Sequence, residues 1–171
     1  MPIVSADSNS RCHVTRSPLS LLVEESCEVN PDHVQFDVAI PSKYEAGQEI
    51  IGRIMAAVDR AGFSSRDRFG IRLSLDEAVT NAIKHGNKLS PDKSVHVRFR
   101  LNETGIWVEI EDEGPGFRPE DVPDPTADEN LERPSGRGLM LMREFMSRIE
   151  YSPKGNLVVL EKQLPQHAPT N

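Results

Sequence analysis

Glu77, Asn81 and His85 place a carboxylate, an amide and an imidazole at i, i+4 and i+8 within an otherwise apolar-periodic stretch. In a helix, positions four apart are displaced by only about 40°, so the three side chains form one polar stripe. Leu75, Ala78, Val79, Ala82 and Ile83 take the opposite side. An amide oxygen can ligate a hard cation, and a carboxylate one turn away can take a proton from a hydroxyl or water. Two further segments carry chemistry. Asp112-Glu-Gly114-Pro-Gly116-Phe117 follows an alternating stretch. It reads either as a tight turn or as a carboxylate that accepts from an exocyclic amine, with Gly114 and Gly116 admitting a flat ligand. Ser135-Gly136-Arg137-Gly138-Leu139 leads into an apolar-periodic run. It is either a hinge with a surface arginine or a phosphate cradle of backbone N–H groups at a helix start, with Arg137 adding charge.

The elements that must position these residues are legible from periodicity. Val34, Phe36, Val38 and Ile40 alternate as a half-buried strand ending at Pro41. Ser42 and Glu45 have capping-box spacing, which predicts a helix from Ser42 with Ile50, Ile51, Ile54, Met55 and Val58 on its apolar face, ending near Gly62. A second helix is expected from Ser64 or Ser65 to about His85, with Gly86-Asn87 as its stop. Val95 to Leu101 and Ile106 to Ile110 alternate on either side of Asn102-Glu-Thr-Gly105, a β-hairpin pattern. A third helix is carried by Leu139, Met142, Phe145 and Met146, and short strands are expected near 149–151 and 157–162. The order β-α-α-β-β-loop-α-β-β predicts an α+β fold, a two-layer α/β sandwich whose mixed, mostly antiparallel sheet is covered on one face by about three helices.

At 171 residues and 37% hydrophobic content, one domain with a core is expected over 33–164, with a flexible extension at 1–32 and a disordered tail at 165–171. Residues 113–137 hold five prolines and three glycines, so a lid-like loop is expected at about 117–138. The formal net charge of −7 argues against nucleic acid or a membrane surface as partner. No apolar run nears the roughly 20 residues of a membrane span, so a cytoplasmic protein is expected. Cys12 and Cys27 precede the patterned region and read as reduced thiols.

Taken in order, Glu77-x-x-x-Asn81-Ala-x-x-His85-Gly86, Asp112-x-Gly114-x-Gly116-Phe117 and Gly136-x-Gly138-Leu139-x-Leu141 resemble the N, G1 and G2 boxes of the GHKL ATPase superfamily. Within that superfamily the chain looks most like the bacterial anti-sigma-factor serine/threonine kinases. The resemblance covers about residues 34–163 and implies the Bergerat, or histidine-kinase-like ATPase, fold. It implies ATP and Mg²⁺ as cofactors, Asn81 as Mg²⁺ ligand, and Glu77 as the base that deprotonates a seryl or threonyl hydroxyl. It further implies Asp112 as reader of the adenine amino group, Gly114 and Gly116 as walls of the adenine pocket, and Gly136, Arg137, Gly138 and Leu139 as the lid over the phosphates. Lys84 and His85 are candidate phosphate contacts. The implied partners are a sigma factor and a small anti-sigma antagonist protein, and a homodimer is a further expectation.

Two features depart from the family pattern. Gly155-Asn156 stands where many relatives carry Gly-Thr, and an extension of some 30 residues precedes the first strand. Three other functions share part of this motif pattern. One is an ATP-binding module that sequesters a partner without phosphorylating it. Another is the catalytic domain of a histidine kinase, disfavoured because the residues before Val34 are too few and irregular for a dimerising hairpin with a phospho-accepting histidine. The last is a topoisomerase or chaperone ATPase, which needs a transducer domain after the ATP site.

Overall fold

The computed structural model describes residues 33–116 and 137–164. The expected extension, most of the lid loop with Gly136, and the tail lie outside the described residues. Five strands, β1 (Val34–Pro41), β2 (Ser94–Asn102), β3 (Gly105–Asp112), β4 (Arg148–Tyr151) and β5 (Leu157–Gln163), form one sheet in the order β1-β2-β3-β5-β4. All four pairings are antiparallel, so the described sheet has no parallel component. Three helices, α1 (Tyr44–Val58), α2 (Ser65–Asn81) and α3 (Arg137–Phe145), complete the α+β sandwich.

Strand alternation decides which face of the sheet is dry. Val95, Val97 and Phe99 of β2 and Val108 and Ile110 of β3 are almost fully buried, and they pack with Ile51, Ile54, Ile71, Leu75 and Ile83 from the helical layer in one core. Burying an aliphatic side chain of this size contributes roughly 2 kcal/mol, so the helical layer is held mainly by this seam. The intervening β2 and β3 residues line the other face. There Arg98 pairs with Asp37 (3.4 Å), Glu109 and Glu111 (3.7 Å), and the Arg100 guanidinium lies 4.9 Å from the Trp107 ring centroid. Trp107 is half-buried. No helix among the described residues is long and apolar enough to cross a membrane.

Two helix termini differ from expectation. Ser42 does not cap α1: Lys43 holds the N-cap position and makes no side-chain cap bond. The Ser42 hydroxyl is taken elsewhere, accepting from Asn87 Nδ2 at 2.7 Å, so the capping box with Glu45 gives way to a long-range contact. The second difference is at the end of α2. The α-helix stops at Asn81 and continues as a π-helical turn over Ala82–Gly86, closed by Asn87 N–H donating to Ala82 C=O at 2.8 Å. Gly86 does not end the helix through a left-handed conformation. That conformation falls on Lys88 and Leu89, both with φ of 56°.

Candidate functional site

A cleft of about 350 Å³ opens between the C-terminal half of α2, the end of β3, α3 and the β4–β5 turn, within the size range of small-molecule sites. Its floor is apolar, with Ala78, Ala82, Ile110, Met142 and Val158 among the lining residues. Glu77, Asn81, His85, Asp112, Gly116 and Leu139 all line it as well. Residues separated by more than 60 positions in the chain are thus brought to one concavity.

The stripe read from the sequence is regular over its first step only. Asn81 Nδ2 donates to Glu77 Oε1 at 3.0 Å, as one α-helical turn dictates. The π turn then adds a residue to the next turn and displaces His85 from the α-helical line, leaving it exposed at the cleft margin. Lys84 is exposed and does not line the cleft.

Asp112 sits at the buried end of the site, only 9% exposed. Its Oδ1 accepts from Gly114 N–H at 2.7 Å. Burial drives its carboxyl above the ordinary value of 3.8, while the Gly114 hydrogen bond and the charges of Lys154 and Lys93 pull the other way. The fit around this carboxyl explains Gly86, because any Cβ there would collide with Asp112 Cγ and both carboxyl oxygens. The stretch from Asp112 to Gly114 is held from both sides. Asn156 Nδ2 donates to Asp112 C=O (2.8 Å), Asp112 N–H donates to Asn156 C=O (2.9 Å), and Asn87 Oδ1 accepts from Glu113 N–H (2.8 Å). The asparagine that departs from the family's Gly-Thr pair therefore lines the cleft with one amide proton committed to the Asp112 backbone.

At the other end of the cleft Glu77 faces the start of α3. A Cβ at Gly138 would overlap the Glu77 carboxyl group, so any other residue there would push the base candidate from its present position. The Arg137 side chain lies outside what the structure describes. Tyr151 is a lining residue that sequence reading missed, since a four-residue strand carries too little alternation to show which way it faces. Burial pushes its phenol up to about 12, with Arg143 lowering and Glu77 raising it. Met142 was also missed as a lining residue. Asn87, which by sequence is either a further polar contact or a turn residue after Gly86, is 1% exposed with its side-chain amide fully engaged.

A family model described as the histidine kinase-like ATPase domain matches residues 40–162. The chain belongs to that family. The match spans every element that lines the cleft. Among curated relatives of this ATPase-domain protein, serine-protein kinase RsbW of Listeria monocytogenes is 28% identical over 150 residues, covering 80% of this chain and 94% of that protein. Anti-sigma F factor of Clostridium perfringens is 36% identical over 100 residues, covering 55% and 71% respectively. Serine/threonine-protein kinase BtrW of Bordetella bronchiseptica is 31% identical over 94 residues, covering 54% of this chain and 66%, just under two thirds, of that protein.

Proposed function

We propose that this chain is an ATP-dependent serine/threonine protein kinase of the anti-sigma-factor type. It phosphorylates a small antagonist protein and, in the alternative partner state, sequesters a sigma factor. The relatives named as a serine-protein kinase and an anti-sigma F factor support the two halves of this reading. The single observation that carries it is the Glu77–Asn81 pair, joined by a hydrogen bond in the same cleft that buries Asp112.

The roles follow from donor and acceptor chemistry. Asp112 accepts from the adenine amino group, and a guanine would present an oxygen to the same carboxyl and be repelled. Asn81 has its Nδ2 committed to Glu77, which leaves Oδ1 for a hard cation. Among the described residues no three His, Cys, Asp or Glu side chains gather into a metal cage. A Mg²⁺ bound here would be held by Asn81 together with substrate phosphates, and it would supply charge neutralisation for the transfer. Glu77 takes the proton of the target hydroxyl as its oxygen bonds to the γ-phosphorus and the bond to the β–γ bridging oxygen breaks, releasing ADP. Gly136, Arg137, Gly138 and Leu139 close over the phosphates, and His85 lies at the margin where these emerge. The acidic surface suits a protein partner rather than nucleic acid, and MgATP with a sigma factor implies the cytoplasm.

The test is phosphate transfer from labelled MgATP to a small anti-sigma antagonist protein. Wild type labels a serine or threonine, and Glu77→Ala binds ATP and partner but labels nothing. If wild type binds ATP and the antagonist without labelling it, and Glu77→Ala binds both equally, the kinase reading fails and a non-catalytic ATP-dependent switch replaces it.

A further inference from the structure

The segment that joins the π turn to β2 is costly to hold in place. It follows the π turn and includes two consecutive left-handed residues that are not glycine, Lys88 and Leu89, whose backbone is strained. Something must over-determine its position. Asn87 lies between the two irregularities and uses its whole amide to do so. Nδ2 donates to Ser42 Oγ (2.7 Å) and to Ser94 C=O (2.8 Å), and Oδ1 accepts from Glu113 N–H (2.8 Å). One buried side chain thus ties the start of α1 and the start of β2 to the loop immediately after Asp112. Asn87 is not among the residues lining the cleft.

We propose that Asn87 is a positioning residue for nucleotide-base selectivity. By accepting Glu113 N–H it fixes the loop that presents the Asp112 carboxyl, and so sets the preference for an adenine over a guanine nucleotide without touching either. The inference rests on the reading of Asp112 as the adenine contact. The geometry separates it from a purely structural role, because the three hydrogen bonds divide by function. The Nδ2 bonds brace α1 and β2, whereas the Oδ1 bond alone reaches the base-reading loop. The opposite side of that loop is held by Asn156 through Asp112 N–H and C=O, and Glu113 is also held at its C=O by Lys93 Nζ (3.1 Å) and at its carboxylate by Ser94 N–H (2.8 Å), so Asn87 Oδ1 is the contact that fixes the Glu113 N–H, the peptide directly after Asp112.

The experiment is calorimetric titration of wild type, Asn87→Ala, Asn87→Asp and Ser42→Ala with MgATP and MgGTP, alongside thermal melts. Wild type prefers ATP. Asn87→Ala reduces the GTP-to-ATP Kd ratio by about tenfold, as expected if the Glu113 N–H bond, worth about 1.4 kcal/mol, bears on base choice while the two Nδ2 bonds lost with it bear on stability. Ser42→Ala melts earlier but keeps the wild-type ratio, since Ser94 C=O still orients Nδ2. Asn87→Asp keeps an oxygen for Glu113 N–H and retains the preference at lower stability. It decides the matter if Asn87→Ala does not fold. An unchanged ratio in Asn87→Ala, a lost preference in Asn87→Asp, or an equal loss in Ser42→Ala overturns the inference. Wild type that binds ATP and GTP alike instead overturns the Asp112 reading beneath it.

Discussion

The two ends of α2 are built on opposite electrostatic plans, though one 17-residue helix about 25 Å long joins them. At the N-terminal end the Ser64 and Asp67 side chains are spent on the fold. Ser64 Oγ accepts from Asp67 N–H (3.0 Å) and donates to Asp67 Oδ2 (2.6 Å). Lys162 Nζ pairs with Asp67 Oδ1 (2.7 Å) and also donates to Phe145 C=O (2.7 Å) at the end of α3. The Lys162 and Ser64 hydrogen bonds hold the Asp67 carboxyl below its ordinary value of 3.8. At the C-terminal end the helix loosens into a π turn, and Glu77 and Asn81 bond each other at the cleft. The aspartate there, Asp112, is driven upward by burial instead. A carboxyl surrounded by donors consolidates structure. A carboxyl desolvated with few donors is poised to accept one from a ligand.

Substitutions at the two ends should therefore separate activity from stability. The largest effect belongs to Glu77→Ala, expected to lower phosphate transfer by about 10²–10⁴-fold with the urea midpoint unchanged. A melt shifted as far as that of an Asp67 variant would erase the distinction between the ends. Next is Gly86→Ala, whose methyl must displace the Asp112 carboxyl. Overpacking of this kind costs about 1–3 kcal/mol of stability, and with the carboxyl displaced from its position ATP affinity measured by titration should fall about tenfold, the loss of roughly one hydrogen bond. Asp67→Asn is the converse case. It gives up the ion pair with Lys162 and should lower stability in urea by about 1–2 kcal/mol while the ATP Kd stays as in wild type.

The smallest and most discriminating effect is the response to acid. Asp67 has a folded value below 3.8, so its stabilisation is complete above that pH and is lost only as the pH falls through the folded value. Asp112 has a folded value above 3.8, so its ionised form costs stability at neutral pH and protonation relieves that cost as the pH falls through its folded value. On acidification from pH 7, ATP affinity should decline relative to Asp112→Asn before the Asp67 contribution to stability begins to fail. Titrations and urea melts along one pH series check the order. Coincident declines would show that the two carboxyls do not differ as their surroundings require.

Much of the fold was legible because the core obeys simple periods. β2 and β3 alternate so cleanly that their hairpin and its turn at Asn102–Gly105 follow from the pattern, and Asn102 Oδ1 does accept from Thr104 and Gly105 N–H. The helices were legible through the spacing of Ile50, Ile54, Leu75, Val79 and Met142, all buried. What misled was local chemistry with two possible partners. Ser42 and Glu45 have the spacing of a cap, yet the serine hydroxyl went to Asn87, 45 residues away. Gly86 looked like a helix stop, and its reason is the Asp112 carboxyl 26 positions further on.

The sequence by itself determined the sandwich, the order of its elements, and the chemical types of Glu77, Asn81 and Asp112, because hydrophobic period and residue chemistry are local properties of the chain. Only the tertiary structure decided that α2 would end in a π turn, that Asn87 would bind three separate segments, and that Tyr151 and Asn156 would join the cleft wall. Those outcomes depend on which donors and acceptors are left without water when the layers close. A buried amide takes whichever partner the packing brings near, and spacing along the chain carries no record of that choice.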